Sequence, residues 1–174
     1  FKLVDRDEYI MAWTTTTWTL PANMALAVSE KLAYGLYDVD GKKTVMAKVL
    51  AEKLLGEAPK ALKTYSGAEL VGLKYEPLFD MDDDIQKNEN AHKVWAADFV
   101  SAEDGTGIVH IAPAFGEDDA KVGRKYDLPF IQLVDGAGLM AEPTPYVGTF
   151  VKDADKLVLV DLEKAGLLFD APKF

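Results

Sequence analysis

The 174-residue chain has no cysteine and only two histidines, His92 and His110. Disulfides, thiolate nucleophiles and Cys-ligated zinc are thereby excluded, and little is left for a His-rich metal site, so no metal is expected. No apolar run approaches the roughly 20 residues of a membrane span, and the opening FKLVDRDEYI lacks the apolar core of a secretory signal. Positive charge is scarce: 19 Lys+Arg against 29 Asp+Glu leave a formal charge of −10. A duplex DNA binder draws its affinity from a basic surface and is not expected; a protein that receives only a short single-stranded end is compatible with this balance. A G-x-S-x-G nucleophile elbow is missing, and Gly105 and Gly107 are not followed by the Lys-Ser/Thr of a phosphate loop. The chain opens without Met and both ends fall mid-pattern, so a single domain over residues 1–174, cut from a longer protein, is expected.

What is present is an ordinary globular composition, 49% apolar and 28% charged, enough for one core. Residues 8–19, rich in β-branched and aromatic side chains, read as strand until Pro21 ends the run. Residues 33–47 read as a hairpin turning at Asp40-Gly41, and residues 49–55 as a helix closed by Gly56. Residues 62–65, 94–100, 106–111 and 130–134 read as further strands. Residues 67–79 are expected to be irregular and the polar stretch 80–90 a solvated loop; its Asp residues lack the spacing of a calcium loop. Residues 118–126 and 151–168 carry helical periodicity. The expected fold is a β-rich mixed α/β domain, a small β-barrel core with peripheral helices.

Two segments could carry chemistry. In WTTTTWTLPAN, Trp13 to Asn23, four consecutive threonines would alternate faces on a strand, placing two hydroxyls in a cavity and two behind it. Plain β-propensity explains the same run. In ADFVSAEDGTGIVHIAPAFGEDD, Ala97 to Asp119, a strand enters a Pro/Gly turn and then a helix whose first turn holds Glu117, Asp118 and Asp119. Those carboxylates complement the helix dipole, or one of them holds a ligand ammonium. His110 is a candidate base, or a hydrogen-bonded core residue. From spacing alone, the result is a β-rich domain with a polar cavity.

Together with GAELVGLKYEPLF (Gly67 to Phe79), these two segments closely resemble the editing domain of isoleucyl-tRNA synthetases, the connective peptide 1 insertion of a class I catalytic fold. The valyl and leucyl relatives carry TTRPET- or TTRPDT-like and PAHD-like segments where this chain has TTTTWT and APAFGEDD. The family commonly has Pro where Thr17 stands here. The resemblance implies the class I editing-domain fold and hydrolytic deacylation of Val-tRNA(Ile), and leaves open whether valyl-adenylate is also hydrolysed. It implies Asp119, Thr15 and Thr16 as the catalytic residues, Asp119 holding the substrate ammonium. Thr14, Trp18, His110 and Asn23 would bind or shape the substrate pocket, and Asp118 would cap its helix. The implied partners are the 3′ end of misacylated tRNA(Ile) and the rest of the parent synthetase, in the cytoplasm, with no membrane, DNA or cofactor. The HIGH-like and KMSKS-like signatures do not occur in the chain, so ATP binding and aminoacylation fall to the rest of the parent. Editing of a valyl or leucyl tRNA, or a non-catalytic β-barrel binding module, are the alternatives.

Overall fold

The structure is a computed structural model, and it describes residues 1–80 and 82–170; Met81 and the last four residues of the expected 1–174 domain lie outside the described residues. Strands β1 (Tyr9–Ile10), β3 (Ala33–Val39), β4 (Lys42–Ala47) and β5 (Lys63–Ser66) form one sheet in the order β1-β4-β3-β5. Strands β2 (Ala25–Val28), β6 (Lys93–Ala96) and β7 (Ile108–Ile111) form a second, in the order β6-β2-β7. The fold is thus mixed α/β, but the expected barrel is not closed among the described residues. The two sheets meet through single contacts, the Trp13–Val109 bridge and the Ala47 N–H to Thr106 O bond at 2.8 Å, rather than through a continuous ladder.

The apolar run at residues 24–28 becomes the central strand of the second sheet because it can be buried on both faces. Leu26 and Val28 enter one core with Ile10, Tyr34, Leu36 and Ile108. Ala25 and Ala27 face another with Ile111, Val122 and Leu128. The hairpin β3–β4 turns as expected at Asp40 and Gly41, both with positive φ, and Asp38 Oδ1 accepts the Gly41 N–H at 2.8 Å.

Helices α1 (Lys48–Leu55, ended by Gly56 at φ +95°), α4 (Glu117–Lys125) and α5 (Val151–Lys164) fall where periodicity placed them. Two short helices, α2 (Gly67–Leu70) and α3 (Asp83–Gln86), replace expected irregular chain. Ser66 and Glu69 form a reciprocal capping box that starts α2, which the S-x-x-E spacing encodes.

Two expected strands are corrected. Of residues 8–19 only Tyr9–Ile10 join a ladder, and residues 17–22 wind into a 3-10 turn. Of residues 130–134 only Val134 forms a single bridge, to Met140. Within it the Val134 N–H donates to Gln132 Oε1 at 3.2 Å instead of to a neighbouring strand, and just beyond it the Asp135 carboxylate accepts the N–H groups of Ala137 (2.9 Å) and Leu139 (3.0 Å), turning the chain.

The buried face of α5, Ala154, Val158 and Leu162, packs with Leu20, Met140 and Tyr146, seating the helix on the 17–22 turn. No helix among the described residues is long and apolar enough to cross a membrane.

Candidate functional site

Trp13 is the last residue of the threonine segment held by a sheet, its N–H donating to Ile108 O at 3.3 Å. Beyond it the chain turns away. Thr14 Oγ1 accepts the Thr16 N–H at 3.2 Å and donates to Thr16 O at 3.1 Å, a local bond that competes with strand pairing. Pro21 lies inside the following 3-10 turn, where its fixed φ suits the tight winding. The threonines therefore do not alternate faces. Thr17 donates to Asp155 of α5, whose Oδ1 lies 2.8 Å away and whose carbonyl lies 3.0 Å away. The Trp18 N–H donates to the same Oδ1 at 2.8 Å. Thr15 and Thr16 are exposed, and their hydroxyls have no partner among the described residues.

His110 lies on β7 opposite Leu26, buried to 6% exposure. Burial pushes its pKa down to about 4, so the ring is neutral at pH 7. Asn23 Nδ2 sits 2.7 Å from His110 Nδ1 and Thr19 Oγ1 sits 2.9 Å from Nε2. An amide nitrogen only donates, so Nδ1 accepts and the proton resides on Nε2. Thr19 then passes its own proton to Thr16 O at 2.9 Å. Asn23 Oδ1 accepts the Tyr75 hydroxyl, its Nδ2 also donates to Ala25 O at 3.0 Å, and its carbonyl lies 3.1 Å from His92 Nε2. A continuous chain thus runs Tyr75–Asn23–His110–Thr19 to the carbonyl of Thr16. His110 is a fixed strut in it, with neither nitrogen free to take a proton from water.

Asp119 stands in the first turn of α4, half-buried. Its Oδ2 accepts the Ala112 N–H at 2.9 Å, closing the turn formed by Pro113–Phe115 and Gly116. Burial raises its pKa from the ordinary carboxylate value, partly offset by the hydrogen bond from Ala112. Among the described residues no cation pairs with it, since Lys121 faces Glu117 at 3.6 Å and Asp118 at 3.9 Å instead. Asp118, expected at the helix cap, is exposed beside that lysine. Phe115 of the same turn meets the Trp18 ring edge-on, centroids 5.1 Å apart, which brings the two sequence segments together.

A cleft of about 570 Å³ opens beside the threonines. Thr14, Thr15, Thr17 and His110 line it; Thr16, Trp18, Asn23 and Asp119 do not. Asp155 and Leu159 of α5 line it as well. Tyr75 and Asp155, which connect the site residues, carry no local signal in the sequence, each being defined by a partner far along the chain; Thr19 joins the distant His110 to the nearby Thr16 carbonyl.

The architecture is that of the connective-peptide editing domains of class I aminoacyl-tRNA synthetases. It superimposes on the crystal structure of GlLeuRS-CP1 with a TM-score of 0.75 at 15% identity, over 98% of this chain and 86% of that one. On the P. falciparum cytosolic leucyl-tRNA synthetase editing domain the TM-score is 0.67 at 12% identity, over 93% and 79%. At these identities the likeness is one of fold alone. In sequence the chain is 47% identical over 171 residues to the isoleucine–tRNA ligase of Clostridium novyi, covering 98% of this chain. To that of Methanothermobacter thermautotrophicus it is 45% identical over 170 residues. The chain thus aligns almost end to end with a segment of isoleucine–tRNA ligases, and its fold is that of the synthetase editing domains. It spans 16% of the length of these relatives. No protein-family model matches it.

Proposed function

We propose that this domain hydrolyses the ester of Val-tRNA(Ile), as the second sieve of a cytoplasmic isoleucyl-tRNA synthetase. The observation that carries the reading is the half-buried Asp119 carboxylate, with no cation paired to it among the described residues, joined through Phe115 and Trp18 to a segment bearing two threonine hydroxyls that bond nothing among the described residues.

Valine lacks one methylene of isoleucine, and a synthetic pocket rejects a smaller ligand by only about 1–3 kcal/mol, a limit for which this amino-acid pair is the standard example. A second site that admits valine and excludes isoleucine multiplies the discrimination. Asp119 supplies the counter-charge for the α-ammonium of the esterified amino acid, a charge-assisted bond that offsets the cost of its own burial. Trp18, held against Phe115, fixes the turn that carries the cleft-lining Thr17 and so shapes the side-chain pocket from outside its lining. The Thr15 and Thr16 hydroxyls contact the terminal ribose or orient the attacking water.

Water adds to the ester carbonyl carbon, the tetrahedral adduct collapses with cleavage of the bond to the ribose oxygen, and that oxygen leaves with a proton. His110 is not the base, because it is buried with both ring nitrogens already hydrogen-bonded, and burial makes the ring a weak proton acceptor. An aminoacyl ester is already activated, so placement of water and ester accounts for the rate. With a net charge of −10 the domain receives the single-stranded 3′ end and leaves most of the tRNA to the parent enzyme.

Single-turnover hydrolysis of Val-tRNA(Ile) beside Ile-tRNA(Ile) tests this. Selective loss of the valyl ester is expected, with Asp119→Ala slowing it about 10- to 100-fold, the worth of one charged hydrogen bond. Full activity in Asp119→Ala, at an unchanged fold, would sink the ammonium-anchor role.

A further inference from the structure

Asp155 is the one side chain of α5 that hydrogen-bonds the threonine segment, and the function above leaves it unused. Its Oδ1 receives two donors from consecutive residues, the Thr17 hydroxyl and the Trp18 amide, both at 2.8 Å. Those donors lie at the start of the 17–22 turn, whose first N–H groups have no partner within the turn itself. Thr16, the residue before the turn, supplies no side-chain cap. Asp155 therefore caps this turn from 137 residues away along the chain.

The cap stands between the groups that matter. On one side it abuts Thr15 and Thr16; on the other it fixes the backbone of Trp18, whose ring packs on Phe115 ahead of Asp119. Thr17 and Asp155 both line the cleft, so the clasp is part of its wall. The apolar seat of α5 on Leu20 holds the helix in place independently, which frees Asp155 for this task.

We propose that Asp155 is a positioning residue of the editing site: by fixing Thr17 in the cleft wall and the Trp18 backbone behind it, it sets the discrimination between valyl and isoleucyl esters. The inference rests on the editing reading above. Thr17 adds to the amide bond a second bond to the carboxylate, which a residue without a side-chain donor could not make.

The test is deacylation of Val-tRNA(Ile) and Ile-tRNA(Ile) by the full-length synthetase carrying Asp155→Ala, Asp155→Asn or Thr17→Val. Loss of two hydrogen bonds in Asp155→Ala should lower kcat about ten-fold with KM nearly unchanged, and should narrow the valyl/isoleucyl rate ratio. Asp155→Asn keeps an acceptor oxygen at the same place and should recover most of the rate and the ratio. Thr17→Val removes the hydroxyl that donates to Asp155 Oδ1 and to the Asp155 carbonyl, leaves the Trp18 amide bonded and should lower kcat about three-fold. It retains the whole apolar seat, so it reports on the clasp even if Asp155→Ala folds poorly. Wild-type kcat and ratio in both Asp155→Ala and Thr17→Val would overturn the proposal, as would an Asp155→Asn variant no better than Asp155→Ala. An unaltered synthetase that does not prefer the valyl ester would overturn the editing reading and this inference with it; selectivity retained in every variant would overturn this inference alone.

Discussion

Asn23 Nδ2 donates to His110 Nδ1 at 2.7 Å, and that single bond settles which nitrogen of the imidazole carries the proton. It also ties a residue before the second sheet's central strand to one on that sheet's outer strand.

The first expectation concerns pH. His110 is held at about 4 in the folded protein against 6.5 unfolded, with burial as the cause, and burial also lowers His92. Between those values the unfolded chain binds the extra proton. The contribution of His110 to stability is therefore whole above pH 6.5, declines as pH falls toward 4 and levels off below. The melting temperature should drop across that interval. In NMR the ring C–H shifts of His110 should stay flat from pH 8 to pH 5. A midpoint near 6.5 would show a ring open to solvent and contradict the strut.

Gly116 offers a way to move Asp119 without deleting it. Its φ of 172° is ordinary extended backbone, so alanine is conformationally acceptable there. A Cβ at that position would lie 2.9 Å from Asp119 Oδ1. The carboxylate, being the end of a side chain, yields. Gly116→Ala should cost at most about 1 kcal/mol of stability. The displaced anchor should nonetheless slow Val-tRNA(Ile) hydrolysis several-fold. Unaltered kinetics would mean that the position of this carboxylate is not critical.

Thr15 and Thr16 give the converse case. Their hydroxyls bond nothing among the described residues, so removing them should change stability by no more than about 0.5 kcal/mol, as for other surface groups. Thr15→Ala and Thr16→Ala should each slow deacylation about 3- to 10-fold, the worth of one neutral hydrogen bond. A large fall in melting temperature with kinetics intact would instead mark both as structural.

Much of the scaffold was legible because its signals are local. Asp40-Gly41 dictates its hairpin, Gly56 ends α1, and the periodicity after Phe150 marks α5. The capping box of Ser66 and Glu69 was equally local, yet it lies in a stretch punctuated by glycine and proline that reads as irregular. The threonine run misleads for a physical reason: its β-propensity is real, but Thr14 and Thr19 bond back to Thr16, and the strand is not continued. The resemblance singles out Asp119, the threonines, Trp18 and His110 as candidates. It does not single out the residues that hold them. Tyr75 reaches Asn23 over 52 positions, and Asp155 reaches Thr17 over 138, distances at which a sequence pattern carries no information about contact.

That last separation also orders events in time. While the chain is being made, the strands of both sheets are complete once Ile111 has emerged, and they can pair. The segment with the free threonines is then still without the carboxylate that closes its turn, which arrives with the last helix. A polypeptide stopped short of Val151 would carry both sheets of the described residues and an unfastened pocket, so the wall of the cleft is finished only after the sheets that frame it.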